Sequence, residues 1–443
     1  MDAYVLNQIK NWTIGIFFGV ISVLTVVLPS QLFLISRGRI TDELPKTPDS
    51  FIPQVRLVAF TDSHNNNEHV AKAIDTAYAL FDNDEKYAGV DAFFGLGDFS
   101  SVGAEGDYER YAETISEHIR QGTPFINIHG NHEFKDDNYR EYFIRHFGYE
   151  PDTVTEINGF QCIAFSGERG LTEWTFSPKS LAWLDKAITG AEKNSQGKPV
   201  FVFQHPHAWG TVYGSTCWSC PQLNVIFNKH PGIVDFSGHS HFPMNDPRSI
   251  LQTTYTTVGC GAMASFELDK NGIPGQHPQG YDPAAQMCVI EADGDGSVRI
   301  LGYDLISDTY FCDYYVDDVN NRDTYAYTYK NLKAHDSSPV FGENTAVSAV
   351  RTDSGEWGVT FDAPSVPDGY IVHDYKIVLR DSNGKTVFKD TVINDYYIVD
   401  GDETFSFKID GDILSEGSEY SLSITAKSAY HHKSTVKLNF TAG

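Results

Sequence analysis

The stretch FINIHGNHE, residues 125–133, runs from a short apolar segment of strand-like composition straight into glycine, asparagine, histidine and glutamate. A strand that stops abruptly at an amide, an imidazole and a carboxylate has no packing reason to do so. The same pattern recurs four times: VAFTDSH (58–64), FFGLGDF (93–99), FVFQHPH (201–207) and VDFSGHSH (234–241). Each is an apolar, β-prone run that ends in metal-binding or acid–base side chains. In open α/β sheets the carboxyl ends of the strands converge on one crevice, so five stretches distant in sequence are expected to be neighbours in space. Glycine directly precedes Asp98, Asn131 and His239, as expected where the backbone turns sharply and approaches a bound group closely. One Asp-x-His or Gly-Asp alone carries little weight, because most buried histidines are hydrogen-bonded core residues. The joint occurrence carries the argument.

The donors gathered this way are Asp62, His64, Asp98, Asn131, His205, His239 and His241. They exceed what one tetrahedral ion needs. They suit two ions of higher coordination with one carboxylate shared, and the lack of thiolates points to Mn, Fe or Zn, divalent or trivalent. Two metals about 3.5–4 Å apart can grip a phosphate and activate a water between them.

Between these motifs the chain alternates strands and helices. Residues 69–81 carry apolar side chains at helical spacing, residues 108–122 fit a helix closing at Gly122, and Ser177 followed by Pro178 marks another helix start. This is an α/β pattern. After Lys330 the character changes to short alternating runs separated by turns, which predicts an all-β sandwich over 340–443. Trp357 and Tyr420 sit where fibronectin type III-like domains keep a core tryptophan and a corner tyrosine, and the sandwich resembles one; a spacer or packing role is expected of it.

Taken in order, Asp-x-His, Gly-Asp, Gly-Asn-His-Glu, His and Gly-His-x-His resemble the calcineurin-like metallophosphoesterase family. The resemblance implies a β-sandwich of two sheets flanked by helices, here over 51–335. It implies that Asp62, His64 and His241 hold one metal, that Asn131, His205 and His239 hold the other, and that Asp98 bridges them. His132 would not be a ligand but would stand beside the leaving group as a general acid or transition-state stabiliser. Glu133 is expected to order the loop by accepting hydrogen bonds. The purple acid phosphatase branch would carry a metal-bound tyrosine at the position of Ser101, which disfavours that branch. His207, Trp209 and Tyr213 are candidate substrate-rim residues. The loop around Trp209, Tyr213 and Trp218 either stacks a base or sugar or packs on itself.

The expected activity is hydrolysis of a phosphomonoester or phosphodiester by a metal-bridging hydroxide, on a small phosphorylated substrate. The alternatives are a non-catalytic surface protein that keeps the metal site and binds a partner through the sandwich, or a phosphoanhydride hydrolase. The 443 residues carry 59 acidic against 33 basic side chains, a net charge of −26, which disfavours nucleic acid as a partner. Six cysteines are no disulfide framework. Four, Cys162, Cys260, Cys288 and Cys312, read as small core residues, while Cys217 and Cys220 form either a local disulfide or two loop thiols. Residues 12–35 contain no charge and are long enough to cross a bilayer. Residues 1–36 are therefore expected to be a signal anchor or transmembrane helix, followed by a linker over 37–50. The expected placement is membrane-anchored with the catalytic domain extracytoplasmic, or secreted if the segment is cleaved.

Overall fold

The computed structural model describes residues 40–170, 172, 175–278, 284–399 and 403–443. The expected amino-terminal membrane segment lies outside these residues. Among the described residues, no helix is long and apolar enough to cross a membrane.

The strand Val55–Phe60 is buried at every position, and the period of two divides its faces. Leu57 and Ala59 enter one apolar cluster, Val58 and Phe60 another. Along one edge it pairs in parallel with Ala92–Gly95, which pairs in parallel with Phe125–Asn127. Along the other it pairs antiparallel with Gln286–Ala292, followed outward by Val298–Asp304 and Thr309–Val316. Register places Arg56 opposite Glu291, and this buried guanidinium donates from Nε to the Glu291 carboxylate at 2.7 Å. The pairing offsets part of the cost of burying either charge.

A second six-stranded sheet has the order Thr153–Ile157, Phe160–Ala164, Val200–Phe203, Ile233–Ser237, Thr256–Gly259, Ile250–Gln252. Its inner face brings Cys162, Phe201, Phe203 and Phe236 against Leu57, Phe94 and Ile126 of the first sheet. The outer face of the first sheet packs on the helices Asn67–Phe81 and Glu105–His118 through Val70, Ile74, Tyr108 and Tyr111. That of the second packs on Pro178–Asn194 and Pro221–Phe227 through Leu184, Ile188 and Leu223. Ser177 caps the first of these as its sequence predicts, accepting the Ser180 N–H. The result is two facing sheets between two helical layers, not one open sheet.

Residues from Val347 to Thr441 form a three-stranded and a four-stranded antiparallel sheet. Trp357, fully buried, and Tyr375, Phe405 and Leu422 fill the space between them. The Tyr420 hydroxyl accepts the Ser415 N–H at 2.9 Å. A hairpin of Leu268–Lys270 and Ile273–Gln276 stands between the two bodies. Asp269 and Lys270 of the hairpin reach His373 and Asp390 of the sandwich.

Candidate metal centre

Strands Val55–Phe60, Ala92–Gly95 and Phe125–Asn127 run parallel in one sheet, and Val200–Phe203 and Ile233–Ser237 run parallel in the other. The loops leaving their carboxyl ends meet across the gap between the sheets and bring the motif residues together. Three groups of side chains have ligand atoms all within 4.8 Å of one another: Asp62, His64 and His241; Asp98, His205 and His239; His64, Asp98 and His132. Asn131 joins the second group, its Oδ1 3.2 Å from His205 Nε2.

Local backbone explains how side chains so close in sequence can point inward together. Among the described residues, twelve non-glycine residues have positive φ, and five are Asp62 (56°), His64 (44°), Asp98 (50°), His239 (73°) and His241 (56°). Left-handed conformations cost roughly 1–3 kcal/mol each and persist where the surroundings impose them, most often at functional sites. The glycines before Asn131 and His239 serve a related need. A Cβ on Gly130 would fall 2.7 Å from Asp98 Cγ, and one on Gly238 would fall 2.6 Å from Asp62 Oδ2. What these glycines approach is thus the candidate ligand carboxylates of neighbouring loops.

Hydrogen bonds fix the protonation pattern. A backbone carbonyl only accepts, so Nδ1–H of His205 donates to Leu96 O (2.7 Å) and Nδ1–H of His241 to Ser265 O (2.9 Å). In the neutral ring each Nε2 is then a bare lone pair. Yet His205 Nε2 faces Asp98 Oδ2 at 3.2 Å and Asn131 Oδ1 at 3.2 Å, and His241 Nε2 faces His64 Nε2 at 2.9 Å and Asp62 Oδ1 at 3.3 Å. Asp62 Oδ1 and His239 Nε2 are buried without any hydrogen-bond partner. Acceptors aimed at acceptors in a buried space repel unless protons or cations lie among them. With protons alone, burial lowers His205 and His241, but Asp98 and Asp62 outweigh it and hold both near 9. His64 falls to about 4 and His239 to about 3, chiefly through burial. The two carboxyls stay well below their usual range despite burial, because the histidines face them. These oxygen and imidazole donors fit cations of the Mn, Fe or Zn type.

Outer contacts hold the donors in place, as metal ligands generally require. Asp62 Oδ2 accepts the His239 N–H at 2.8 Å, and Asp98 Oδ1 accepts that of His132 at 2.8 Å. Glu133 accepts three backbone N–H groups, from Asp98, Gly130 and Ser100, so it ties two motif loops together. Burial and the Asp98 charge push its carboxyl upward, while the N–H donors oppose them.

His132 differs from its neighbours. Its side chain is 28% exposed against 2% for His205. Nδ1 lies 2.7 Å from Ser101 O, which accepts, and 2.9 Å from the Lys135 ammonium, which donates, so Nε2 is the nitrogen turned outward, 3.9 Å from Asp98 Oδ2. Lys135, which no motif signalled, places its ammonium 3.3 Å from the same Ser101 carbonyl. Ser101 itself donates its hydroxyl to His64 O.

Two rim expectations need correction. His207 is buried, with Nδ1 on Ser237 Oγ (2.8 Å) and Nε2 on Ser240 Oγ (2.7 Å), and burial lowers it to about 3. It braces the loop of His239 and His241 from behind. Tyr213 turns away from the cluster, its hydroxyl donating to Asp269 at 2.6 Å and its ring lying under Arg248. Trp209 is half-buried and its carbonyl accepts from Asn224 Nδ2. The aromatic that reaches the centre is Trp218, its ring centroid 6.4 Å from that of His239. All six cysteines are thiols, so Cys217 and Cys220 are the loop-thiol alternative.

Residues 55–243 match the family model for calcineurin-like phosphoesterase. Residues 55–243 are thus a calcineurin-like metallophosphoesterase domain, and their His/Asp clusters are consistent with a dinuclear metal site. Among solved structures, the purple acid phosphatase PPD1 from yellow lupin (Lupinus luteus) seeds is similar at 12% identity and a TM-score of 0.42, over 63% of this chain and 55% of that one. The chain thus spans about half the length of that phosphatase. Chaetomium thermophilum Vps29 matches at 8% identity and a TM-score of 0.28, over 59% of this chain and 97% of its own. A cold-active protein-tyrosine phosphatase of a psychrophilic Shewanella species matches at 11% identity and a TM-score of 0.25, over 61% and 87%. No curated protein matches the chain.

Proposed function

We propose that the protein hydrolyses phosphoester bonds at a two-metal centre. Asp62, His64 and His241 would hold one ion, Asn131, His205 and His239 the other, with Asp98 shared. When bound, such ions would neutralise phosphoryl charge and lower the pKa of a water between them. The observation that carries the reading is the set of buried lone pairs aimed at one another, capped by His132, the most open histidine of the cluster. A purely structural ion site has no use for His132. Its Nδ1 is engaged by the Ser101 carbonyl and the Lys135 ammonium, so Nε2 is the nitrogen that meets substrate, and a proton held there can pass to the departing alkoxide. Lys135 adds a positive charge on the same side, where an anionic ester enters an otherwise acidic protein.

The sandwich we read as fibronectin type III-like, with Trp357 as its core tryptophan and Tyr420 as its corner. The placement we favour is extracytoplasmic, held by the amino-terminal segment, with a small phosphorylated molecule as substrate and no nucleic acid. The test is metal analysis of the purified full chain, followed by turnover of p-nitrophenyl phosphate, its bis ester and a nucleotide diphosphate sugar with Mn, Fe or Zn added. About two metals per chain with ester turnover supports the reading. Tight metal with no turnover on any of the three overturns it, and turnover of the diphosphate alone replaces it with phosphoanhydride hydrolysis.

A further inference from the structure

Trp218 combines three features found together nowhere else among the described residues. It is the one bulky apolar residue among the twelve non-glycine positions with positive φ, at 48°; apart from the five candidate ligands, the rest are Asn, Asp, Gln and one His. An indole in that conformation is held there by its surroundings. Its ring meets His239 edge to face, at an interplanar angle of 70°. Its far edge rests on the hairpin: a Cβ on Gly275 would lie 2.9 Å from Trp218 Cη2, so only glycine leaves room for the ring. Trp218 remains half-exposed in this position. An aromatic face that is fixed and partly open beside a candidate ligand is a recognition surface.

The hairpin that supports Trp218 is itself anchored at both ends. On the metal side, the Glu267 N–H donates to His241 O at 3.0 Å. On the sandwich side, Asp269 accepts from Tyr213, whose hydroxyl is also hydrogen-bonded to His373 Nε2. His373 is 2% exposed, and its Nδ1 is held by Asp374 Oδ2 at 2.7 Å, which Lys427 also contacts. Lys270 pairs with Asp390 at 2.9 Å. Tyr213 and Trp218 belong to the same loop, five residues apart. The sandwich therefore grips that loop through Tyr213 and the hairpin beneath it through Asp269.

We infer that Trp218 is a specificity-determining wall of the metal site, selecting phosphoesters whose alcohol carries a ring, and that His373 of the sandwich is its positioning residue. The inference rests on the phosphoesterase reading above. An unsaturated or sugar ring stacks on indole, and a short acyclic alcohol gains little from it.

The test uses the metal-loaded full chain and two monoesters, p-nitrophenyl phosphate and glycerol phosphate, following kcat and KM separately. Trp218→Ala is expected to lower kcat/KM for the aryl ester tenfold or more, mostly through KM, and for glycerol phosphate by twofold or less, with metal content retained. Trp218→Phe should keep most of the preference. His373→Ala should shift the ratio in the same direction by about threefold, and His373→Gln, which restores a polar group near the Nε2 position, should recover it. Equal losses on both esters in Trp218→Ala, or no loss on either, would overturn the inference while leaving the phosphoesterase reading intact. Parent protein that holds metal but turns over neither these monoesters nor bis-p-nitrophenyl phosphate would instead sink that reading.

Discussion

In the strand Glu419–Ser428 of the sandwich, buried and more exposed residues alternate without a break, and only His431 among the described residues of that body has positive φ outside glycine. In the loops leaving the five motif-bearing strands of the phosphoesterase domain, apolar residues give way to buried or mostly buried Asp, Asn and His, five of them in left-handed backbone. Both regions are β-rich and well packed. The first is what a sequence does when only burial matters. The second sets local preference against itself at each strand end, and such conflicts mark places where something other than packing is being specified.

The sharpest way to break this contrast is Asp98→Ala. If the strand-end residues form one centre, the substitution should cut metal affinity by more than the ~10–100-fold typical of losing an outer contact and abolish turnover with it. Retained metal stoichiometry by elemental analysis would show that the site is not shared. Next comes His132→Ala, which should keep both metals and slow kcat by ~10²–10⁴-fold, the usual worth of a general acid. Full rate on several esters would remove His132 from the chemistry.

Asp235 tests burial without metal. It lies on Ile233–Ser237, accepts from Gln204 Nε2 and Thr257 Oγ1, and is pushed by burial from 3.8 to about 7 against those two bonds. Its folded-state pKa lies above the unfolded value, so the folded chain holds the extra proton between about pH 4 and 7. Stability is therefore lost as pH rises through that window. Asp235→Asn should gain ~1–4 kcal/mol over the parent at pH 8 and much less at pH 5 in urea unfolding. An unchanged pH dependence would show the proton is not held there.

The smallest effect is expected at the body-to-body contact. Lys270→Ala removes a partly exposed ion pair with Asp390 and should cost no more than ~1 kcal/mol by thermal melting. A larger loss would mean the hairpin depends on this pair more than on the buried Tyr213–His373–Asp269 contacts.

Much of the centre was legible because metal chemistry demands particular side chains at particular strand ends, and strands announce themselves by composition. Asp62, Asp98, Asn131 and His239 need no partner's identity to be noticed. What stayed hidden depended on neighbours far along the chain. His205 and His207 differ by two residues, yet one turns toward Asp98 and the other between Ser237 and Ser240, a choice set by how the second sheet stacks. Tyr213 looked like a rim residue until its partner His373, 160 positions away, came into view. Lys135 sits two residues beyond the quoted motif, where a surface lysine is unremarkable without Ser101 nearby. The hairpin that carries Gly275 has a plain sequence, and only its two ends show why a glycine is there.

The pairing of Val55–Phe60 with Gln286–Ala292 has a consequence for how the chain is made. The stretch matching the family ends at residue 243, but a fragment cut there would leave the central strand of its sheet with a bare edge, inviting aggregation. On the ribosome, every strand-end motif has emerged well before that edge can be closed. Synthesis must continue roughly fifty residues further before Gln286–Ala292, the strand that closes that edge, is complete.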